Sequence, residues 1–167
     1  MTLQIEKGNL IELLEDGEID VLIHQTNCLG TISKQCSSGI AGVLQQYPEV
    51  VEADSTYIPG DINQLGKYIL IPITTKSGKK AYVCNIYSQY TVGLQNGTSP
   101  TSYLAMRAAL KNASFAIRKE LGKDAKIGTY LLGTGLGRAD KNIVIEIMAN
   151  SLGKVFNNLR IVTLYVH

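Results

Sequence analysis

The sequence has few of the features that mark an extracellular or membrane protein. Its three cysteines, Cys28, Cys36 and Cys84, are an odd number without paired spacing, which indicates reduced thiols rather than a disulfide framework. No apolar run approaches the roughly 20 residues that span a bilayer, and the polar start MTLQIEKGNL is not typical of a signal peptide. From these absences we expect a cytoplasmic protein that does not enter a membrane.

The chain also lacks an excess of either charge. Its 16 Lys and Arg residues nearly match its 14 Asp and Glu residues, and the net charge is only +2. Such a balance gives no electrostatic case for binding nucleic acid or a membrane surface. We therefore expect a small or locally recognised partner, while the oligomeric state is left open.

The pattern along the chain predicts one α/β domain over residues 1–167. No internal repeat or low-complexity tract occurs, and this length supports a single core. β-branched and aromatic runs predict strands at 2–6, 19–25, 67–72, 81–88, 125–132 and 160–166. Helical spacing predicts helices at 40–47, 101–121 and 141–155. Because strands and helices alternate, we expect a sheet covered by helices on both faces.

Two segments have the form of ligand-binding loops. IHQTNCLGTISKQCSSGIAGVL and YLLGTGLGRADKN each run from a strand through small polar residues and glycines into a helix. In open α/β sheets, ligands lie at the carboxyl ends of the strands, where helices begin. Glycine allows close approach to the backbone, and free N–H groups favour an anion. Two such loops can clamp a diphosphate.

Several common nucleotide and metal motifs are missing. GTGLGR is not the dinucleotide fingerprint, because Arg138 replaces its third glycine, and no P-loop motif occurs. Cys28 and Cys36 could join His24 around a metal, but the spacing is irregular for zinc and free thiols are favoured. We expect neither a metal site nor a cofactor.

Taken together and in order, these segments resemble a macro domain, the ADP-ribose-binding fold. The matching segments are EKGNLIE, VLIHQTNCLG, SSGIAGVLQQYP, QLGKYILIP, YVCNIYSQY and LLGTGLGRADKNIV, which cover almost the whole chain. The chain most resembles the branch of ADP-ribose 1''-phosphate phosphatases and related small deacylases. The resemblance implies a three-layer α/β/α fold with a mixed, roughly six-stranded sheet, and ADP-ribose across the strand ends.

The resemblance also implies a role for each matching position. Asn9 and the N–H of Leu10 would meet the adenine, and Asn27 the terminal ribose. Two segments would enclose the phosphates: Gly39, Ile40 and Ala41 on one side, and Gly133, Thr134, Gly135, Leu136, Gly137 and Arg138 on the other. Without the resemblance, the two asparagines would be residues that shape loops, and the glycines would mark tight strand-to-helix turns.

Two residues are candidates for catalysis if the resemblance holds. His24 lies where the phosphatase-like branch has a histidine, and a neutral imidazole could accept a proton from water or attack phosphorus. Asp140 lies near an acidic residue that serves as acid or base in some relatives. The alternatives are that His24 satisfies a backbone carbonyl and that Asp140 caps a helix. Ala41 replaces the Asp of the protein-deacylating macro domains, and the first loop is longer and poorer in glycine than usual.

Two classes of function therefore remain from the sequence. One is a hydrolase of a small ADP-ribose derivative such as ADP-ribose 1''-phosphate, with His24 as its central group. The other is a non-catalytic binder that reads or sequesters ADP-ribose, a cyclic ADP-ribose-type nucleotide or ADP-ribosylated protein. The hydrolase is slightly favoured. A third alternative is an α/β domain that binds another nucleotide.

Overall fold

A six-stranded sheet forms the centre of the molecule. The computed structural model describes residues 3–92, 100–135 and 137–163. The strands are β1 (Ile5–Lys7), β2 (Val21–Asn27), β3 (Tyr68–Thr74), β4 (Lys80–Gln89), β5 (Lys126–Thr129) and β6 (Asn158–Thr163). Their order across the sheet is β1-β6-β5-β2-β4-β3, and every neighbouring pair is parallel except β3 and β4. The predicted mixed sheet is confirmed.

Helices cover both faces of this sheet. They are α1 (Leu10–Glu15), α2 (Gly39–Leu44), α3 (Pro48–Ala53), α4 (Tyr103–Leu121) and α5 (Lys141–Met148), which continues as a π-helical turn over Ala149–Gly153. Helices α4 and α5 pack over one apolar cluster, and α1, α2 and α3 pack over the other. This is the expected three-layer arrangement.

The long helix α4 begins and ends where local chemistry requires. The Ser102 side chain caps its first turn by accepting a hydrogen bond from the N–H of Ala105 at 3.2 Å. Gly122 ends it with a φ of +85°, a conformation that glycine adopts at little cost. The predicted start at residue 101 was therefore two residues early.

The short helices α1 and α3 and a 3-10 turn at Ile62–Gln64 were not predicted. Each has at most six residues, so no apolar period could repeat. Helix α1 buries Leu10, Leu13 and Leu14, and its position depends on the cap at Asn9. Among the described residues, no helix is both long and apolar enough to cross a bilayer.

Candidate functional site

A large cleft crosses the carboxyl ends of the central strands. Its volume is about 1020 Å³. The lining includes Ile5, Val162 and Thr163 from β1 and β6, Tyr130 after β5, Thr26 and Asn27 from β2, and Gln89 and Val92 at the end of β4. Parallel strands bring their carboxyl ends to one edge, which is where α/β sheets bind ligands. The cleft is the candidate site.

The lining of the cleft is almost uncharged. Apolar surface makes up most of it, amides and hydroxyls are interspersed, and Ile5 and Val162 lie at one end. Among the described residues that line it, Lys141 is the only side chain with a formal charge at neutral pH, and none is a carboxylate or an imidazole. Such a lining can hydrogen-bond an anionic ligand without repelling it.

Most residues predicted to meet the ligand lie in this lining. They are Asn27, Gly39, Ile40 and Ala41 beside the first loop, and Gly133, Thr134, Gly135 and Gly137 in the second. Leu136 lies outside the described residues. The two sequence segments thus meet across one cleft, although the three strands β3, β4 and β5 separate them in the chain.

The first loop, residues 28–38, is held by the side chain of Asn27. Its Oδ1 accepts the N–H of Leu29 at 2.9 Å, and its Nδ2 donates to Thr31 Oγ1 at 3.0 Å. Ser37 then donates to the same Thr31 hydroxyl at 2.7 Å. Asn27 therefore lines the cleft and also makes the turn that its sequence context predicts.

A buried carboxylate fixes the same loop from below. Asp54 follows α3 and is completely buried. Its Oδ2 accepts the backbone N–H groups of Ile32 at 3.0 Å and Ser33 at 3.2 Å. Its Oδ1 accepts the hydroxyls of Tyr57 and Tyr87, both at 2.9 Å. These hydrogen bonds offset the cost of burying the charge.

His24 lies beneath the cleft and is not part of its lining. Its side chain has no solvent exposure, and its Nε2 lies 2.5 Å from Asn85 Oδ1, which can only accept a hydrogen bond. Burial lowers the pKa of His24 to about 4, so the imidazole is neutral at pH 7. In the described part of the chain, its Nδ1 has no hydrogen-bond partner. His24 therefore lies in the interior and does not contact the space of the cleft.

The second loop, residues 130–140, packs on a pair of polar side chains. Gln25 donates to Thr101 Oγ1 at 3.1 Å and to Gln89 Oε1 at 2.9 Å. A Cβ added at Gly133 would lie 2.7 Å from Thr101 Oγ1, and one at Gly137 would lie 2.8 Å from Gln25 Nε2. These two glycines are therefore needed for packing inside the protein.

Other glycines of the site face open space. Among the described residues, a Cβ at Gly39 or at Gly135 would have no neighbour within 4 Å. Gly39 has a φ of +62°, which also favours glycine there. The backbone at Gly39 and Gly135 is the part of each loop that a ligand can approach.

The remaining predicted residues lie outside the cleft lining. Asn9 caps α1 by accepting the N–H groups of Ile11 and Glu12 at 3.0 and 3.2 Å, and Leu10 is buried in the core. Asp140 caps α5 through Asn142 and Ile143, at 2.8 and 3.3 Å. Arg138 is exposed, with a φ of +51°. For Asn9 and Asp140 the observed capping corresponds to the structural alternatives considered above.

Sequence reasoning missed several residues that line the cleft. They are Gln25, Thr26, Thr31, Gln89, Tyr130 and Lys141. Gln25 and Thr26 carry a visible signal, because they are polar residues at the end of an otherwise apolar strand. Tyr130 and Lys141 belong to the segment YLLGTGLGRADKN itself, but only its glycine-rich centre was assigned to the ligand. Gln89 has no comparable signal.

Thr26 differs chemically from its neighbours in the cleft. It is 4% exposed, and within the described residues its hydroxyl has no hydrogen-bond partner. An unpaired buried hydroxyl is costly, typically by about 1–3 kcal/mol. The Thr26 hydroxyl therefore lowers the stability of the free protein, while it offers a hydrogen bond to a ligand in the cleft.

The cysteines and acids form no cluster suited to a metal among the described residues. Cys28 is buried, and burial raises the pKa of its thiol to about 12. Cys84 is also buried, whereas Cys36 is exposed and lines the cleft. All three thiols are free.

Comparison with known proteins finds similarity in structure but not in sequence. No family model matches the chain, and no curated protein sequence matches it. The macrodomain of Thermus aquaticus DarG superposes with a TM-score of 0.70 at 18% identity, covering 98% of this chain and 99% of that one. The macrodomain of Mycobacterium tuberculosis DarG gives 0.68 at 17% identity, with coverages of 97% and 98%.

A third structure, Thermosipho africanus DarTG in complex with ADP-ribose, gives a TM-score of 0.65 at 15% identity. It covers 89% of this chain and 39% of that chain. The strand order and the helices on both faces are consistent with these superpositions, which cover 89–98% of this chain. The chain has the macro domain fold.

Proposed function

We propose that the cleft binds ADP-ribose or a small derivative of it, and that the protein acts as a binder. The observation that carries this proposal is the cleft of about 1020 Å³ between two loops, whose almost uncharged lining combines apolar surface with hydrogen-bonding groups. Its volume lies at the upper end of the usual range for small-molecule sites, about 300–1,000 Å³, which suits a ligand of dinucleotide size. The complex of DarTG with ADP-ribose supports the same ligand class.

Each part of ADP-ribose has a chemically suitable surface in this proposal. The apolar end at Ile5 and Val162 suits the adenine ring, and the open backbone at Gly39 and Gly135 suits the diphosphate. Lys141 adds a cation at the rim of the second loop. The terminal ribose then lies toward the β2 and β4 end of the cleft. Asn9 is not needed for adenine here, because its carboxamide oxygen caps α1.

The geometry favours binding over hydrolysis of ADP-ribose 1''-phosphate. A general base must come within hydrogen-bond reach of the attacking water. His24 is buried below the cleft, and the Asp140 carboxylate accepts two N–H groups of its own helix. Among the described residues of the lining there is no carboxylate or imidazole to replace them.

Isothermal titration tests the binding function directly. We expect one ADP-ribose per chain, weaker binding of AMP, and no phosphate release from ADP-ribose 1''-phosphate in the same preparation. Absence of heat with ADP-ribose would contradict the proposed ligand. Phosphate release at a catalytic rate would contradict a purely binding function and would favour the hydrolase instead.

A charge variant tests which cleft is used. Lys141→Gln should weaken ADP-ribose binding by about two- to fivefold at low salt, because exposed charge contacts contribute little, and the difference should shrink as salt rises. Lys154→Gln is the matched control, since Lys154 is exposed and outside the cleft lining. Equal affinities for the two variants at every salt concentration would place the diphosphate away from Lys141.

A further inference from the structure

A chain of buried hydrogen bonds connects the first loop to the interior histidine. Tyr87 donates to Asp54 Oδ1 at 2.9 Å, and Asn85 Nδ2 donates to the Tyr87 hydroxyl at 3.2 Å. Asn85 Oδ1 in turn lies 2.5 Å from His24 Nε2. Asp54, Asn85, Tyr87 and His24 are all buried, so water does not compete for these bonds.

The carboxylate sets the direction of every bond in this chain. A carboxylate can only accept, so Tyr87 must give its hydroxyl proton to Asp54. The Tyr87 oxygen is then available to accept from the Asn85 amide, which turns the Asn85 oxygen toward His24. His24 must therefore carry its proton on Nε2. One charged group thus fixes the orientation of an amide and the tautomer of an imidazole.

The Asp54 carboxylate also anchors the backbone of the first loop. Ile32 and Ser33 donate their N–H groups to it directly. Gly30 donates to the Tyr57 hydroxyl at 3.1 Å, and that hydroxyl donates to Asp54. Three amides of one loop are in this way tied to a single buried charge, and the loop carries cleft-lining residues at both of its ends.

We propose that Asp54 is a positioning residue of the cleft, which holds the first loop in its binding conformation and sets the direction of the hydrogen-bond chain to His24. Asp54 does not touch the ligand, since it lies outside the cleft lining. It acts through the first loop, because the position of that loop sets the shape of the cleft wall beside α2. His24 is the last residue of the hydrogen-bond chain that starts at Asp54. The inference rests on the proposed function only for its ligand readout.

Asp54→Asn tests this role with little change in volume. The carboxamide must turn its NH2 group either toward the amides of Ile32 and Ser33 or toward the hydroxyls of Tyr57 and Tyr87, and all four are donors. In the first orientation the loop loses its anchor, and amide exchange at Ile32 and Ser33 should accelerate at least tenfold. In the second, the chain reverses, and the nitrogen chemical shifts of His24 should report a proton moved to Nδ1.

Both orientations replace a charged acceptor by a neutral one, and charge-assisted hydrogen bonds are roughly twice as strong as neutral ones. We therefore expect ADP-ribose affinity to fall at least fivefold in Asp54→Asn. Asp61→Asn is the control, because the Asp61 side chain accepts the N–H of Asn63 at 2.9 Å and an asparagine can do the same. The control should keep the wild-type affinity, exchange rates and His24 shifts.

The proposal is overturned if Asp54→Asn keeps wild-type exchange at Ile32 and Ser33 together with wild-type ADP-ribose affinity. If the variant does not fold, Tyr57→Phe tests the same anchor by removing the hydroxyl between Gly30 and Asp54. It should raise exchange at Gly30 and weaken ADP-ribose binding, and unchanged values for both would again overturn the proposal. If the wild-type protein does not bind ADP-ribose, the proposed function fails and the exchange rates alone decide the role of Asp54.

Discussion

The two glycines Gly135 and Gly137 lie in one loop and should respond oppositely to alanine. At Gly137 an added Cβ would lie 2.7 Å from the carbonyl oxygen of Gly133 and 2.8 Å from Gln25 Nε2, and it would also meet the Thr101 hydroxyl. At Gly135 no atom of the described residues would lie within 4 Å of it. Neither residue is among the described glycines that have a positive φ, and the comparison is therefore one of packing.

The size of the effect at Gly137 follows from what must move. One of the contacts is backbone, so a side-chain rotation cannot relieve it, and overpacking of this kind costs about 1–3 kcal/mol. Taking about 2 kcal/mol, a chain of this length should lose about 4–8 °C in Tm. Gly135→Ala should stay within about 0.5 kcal/mol of the wild type, as a substitution in open space does.

Ligand binding separates the two variants in the other direction. The new methyl group at residue 135 extends into the cleft, where we place the diphosphate, so Gly135→Ala should reduce ADP-ribose affinity without reducing Tm. Thermal unfolding by circular dichroism and titration with ADP-ribose measure the two effects on the same samples. Equal Tm values for the two variants would refute the packing argument, and unchanged affinity of Gly135→Ala would refute the placement of the diphosphate.

Two further predictions concern the end of β2. Thr26→Val replaces the unpaired hydroxyl by a methyl group of similar shape and should raise the free energy of unfolding by about 1 kcal/mol, measured in urea; a decrease would show that the hydroxyl has a partner in solution. His24 has a pKa of about 4 when folded and 6.5 when unfolded, so the unfolded state binds more protons between these values and stability falls as pH drops below 6.5. We expect a loss of about 2 kcal/mol by pH 5. His24→Gln should give a flatter profile over that range, and parallel profiles would mean that His24 is not the titrating group.

The fold could be predicted because long elements repeat their own period. The buried strands β2 and β4 and the long helix α4 supply enough residues for an unambiguous pattern. Helices α1 and α3 each have six residues; α1 is stabilised by the Asn9 cap, and both depend on packing that the linear sequence does not display. Element type was therefore readable for all the long segments, whereas of the three six-residue helices only α2 was predicted.

The site was predictable as two loops but not as a set of side chains. Strand-end loops with glycine locate the cleft, since this follows from sheet geometry alone. Which residue of β2 faces the ligand depends on its distance from the end of the strand. His24 and Thr26 share a strand face, but His24 lies two residues, about 6.6 Å, farther from the cleft. The register shift between Thr26 and Asn27 changes the orientation again at the strand end. No local signal marks Asp54, because its partners Ile32 and Tyr87 lie in two distant segments and only Tyr57 is near it in the chain.

The first and last strands of the chain are neighbours, and together they build the apolar end of the cleft. Ile5 of β1 and Val162 of β6 line it, and Arg160 donates to Glu6 at 2.7 Å across 154 residues of sequence. During synthesis from the amino terminus, β1 therefore remains without β6, its sheet partner among the described strands, until β6 has been made. The two loops can fold before β6 is made, but the surface proposed for the adenine ring forms only after it.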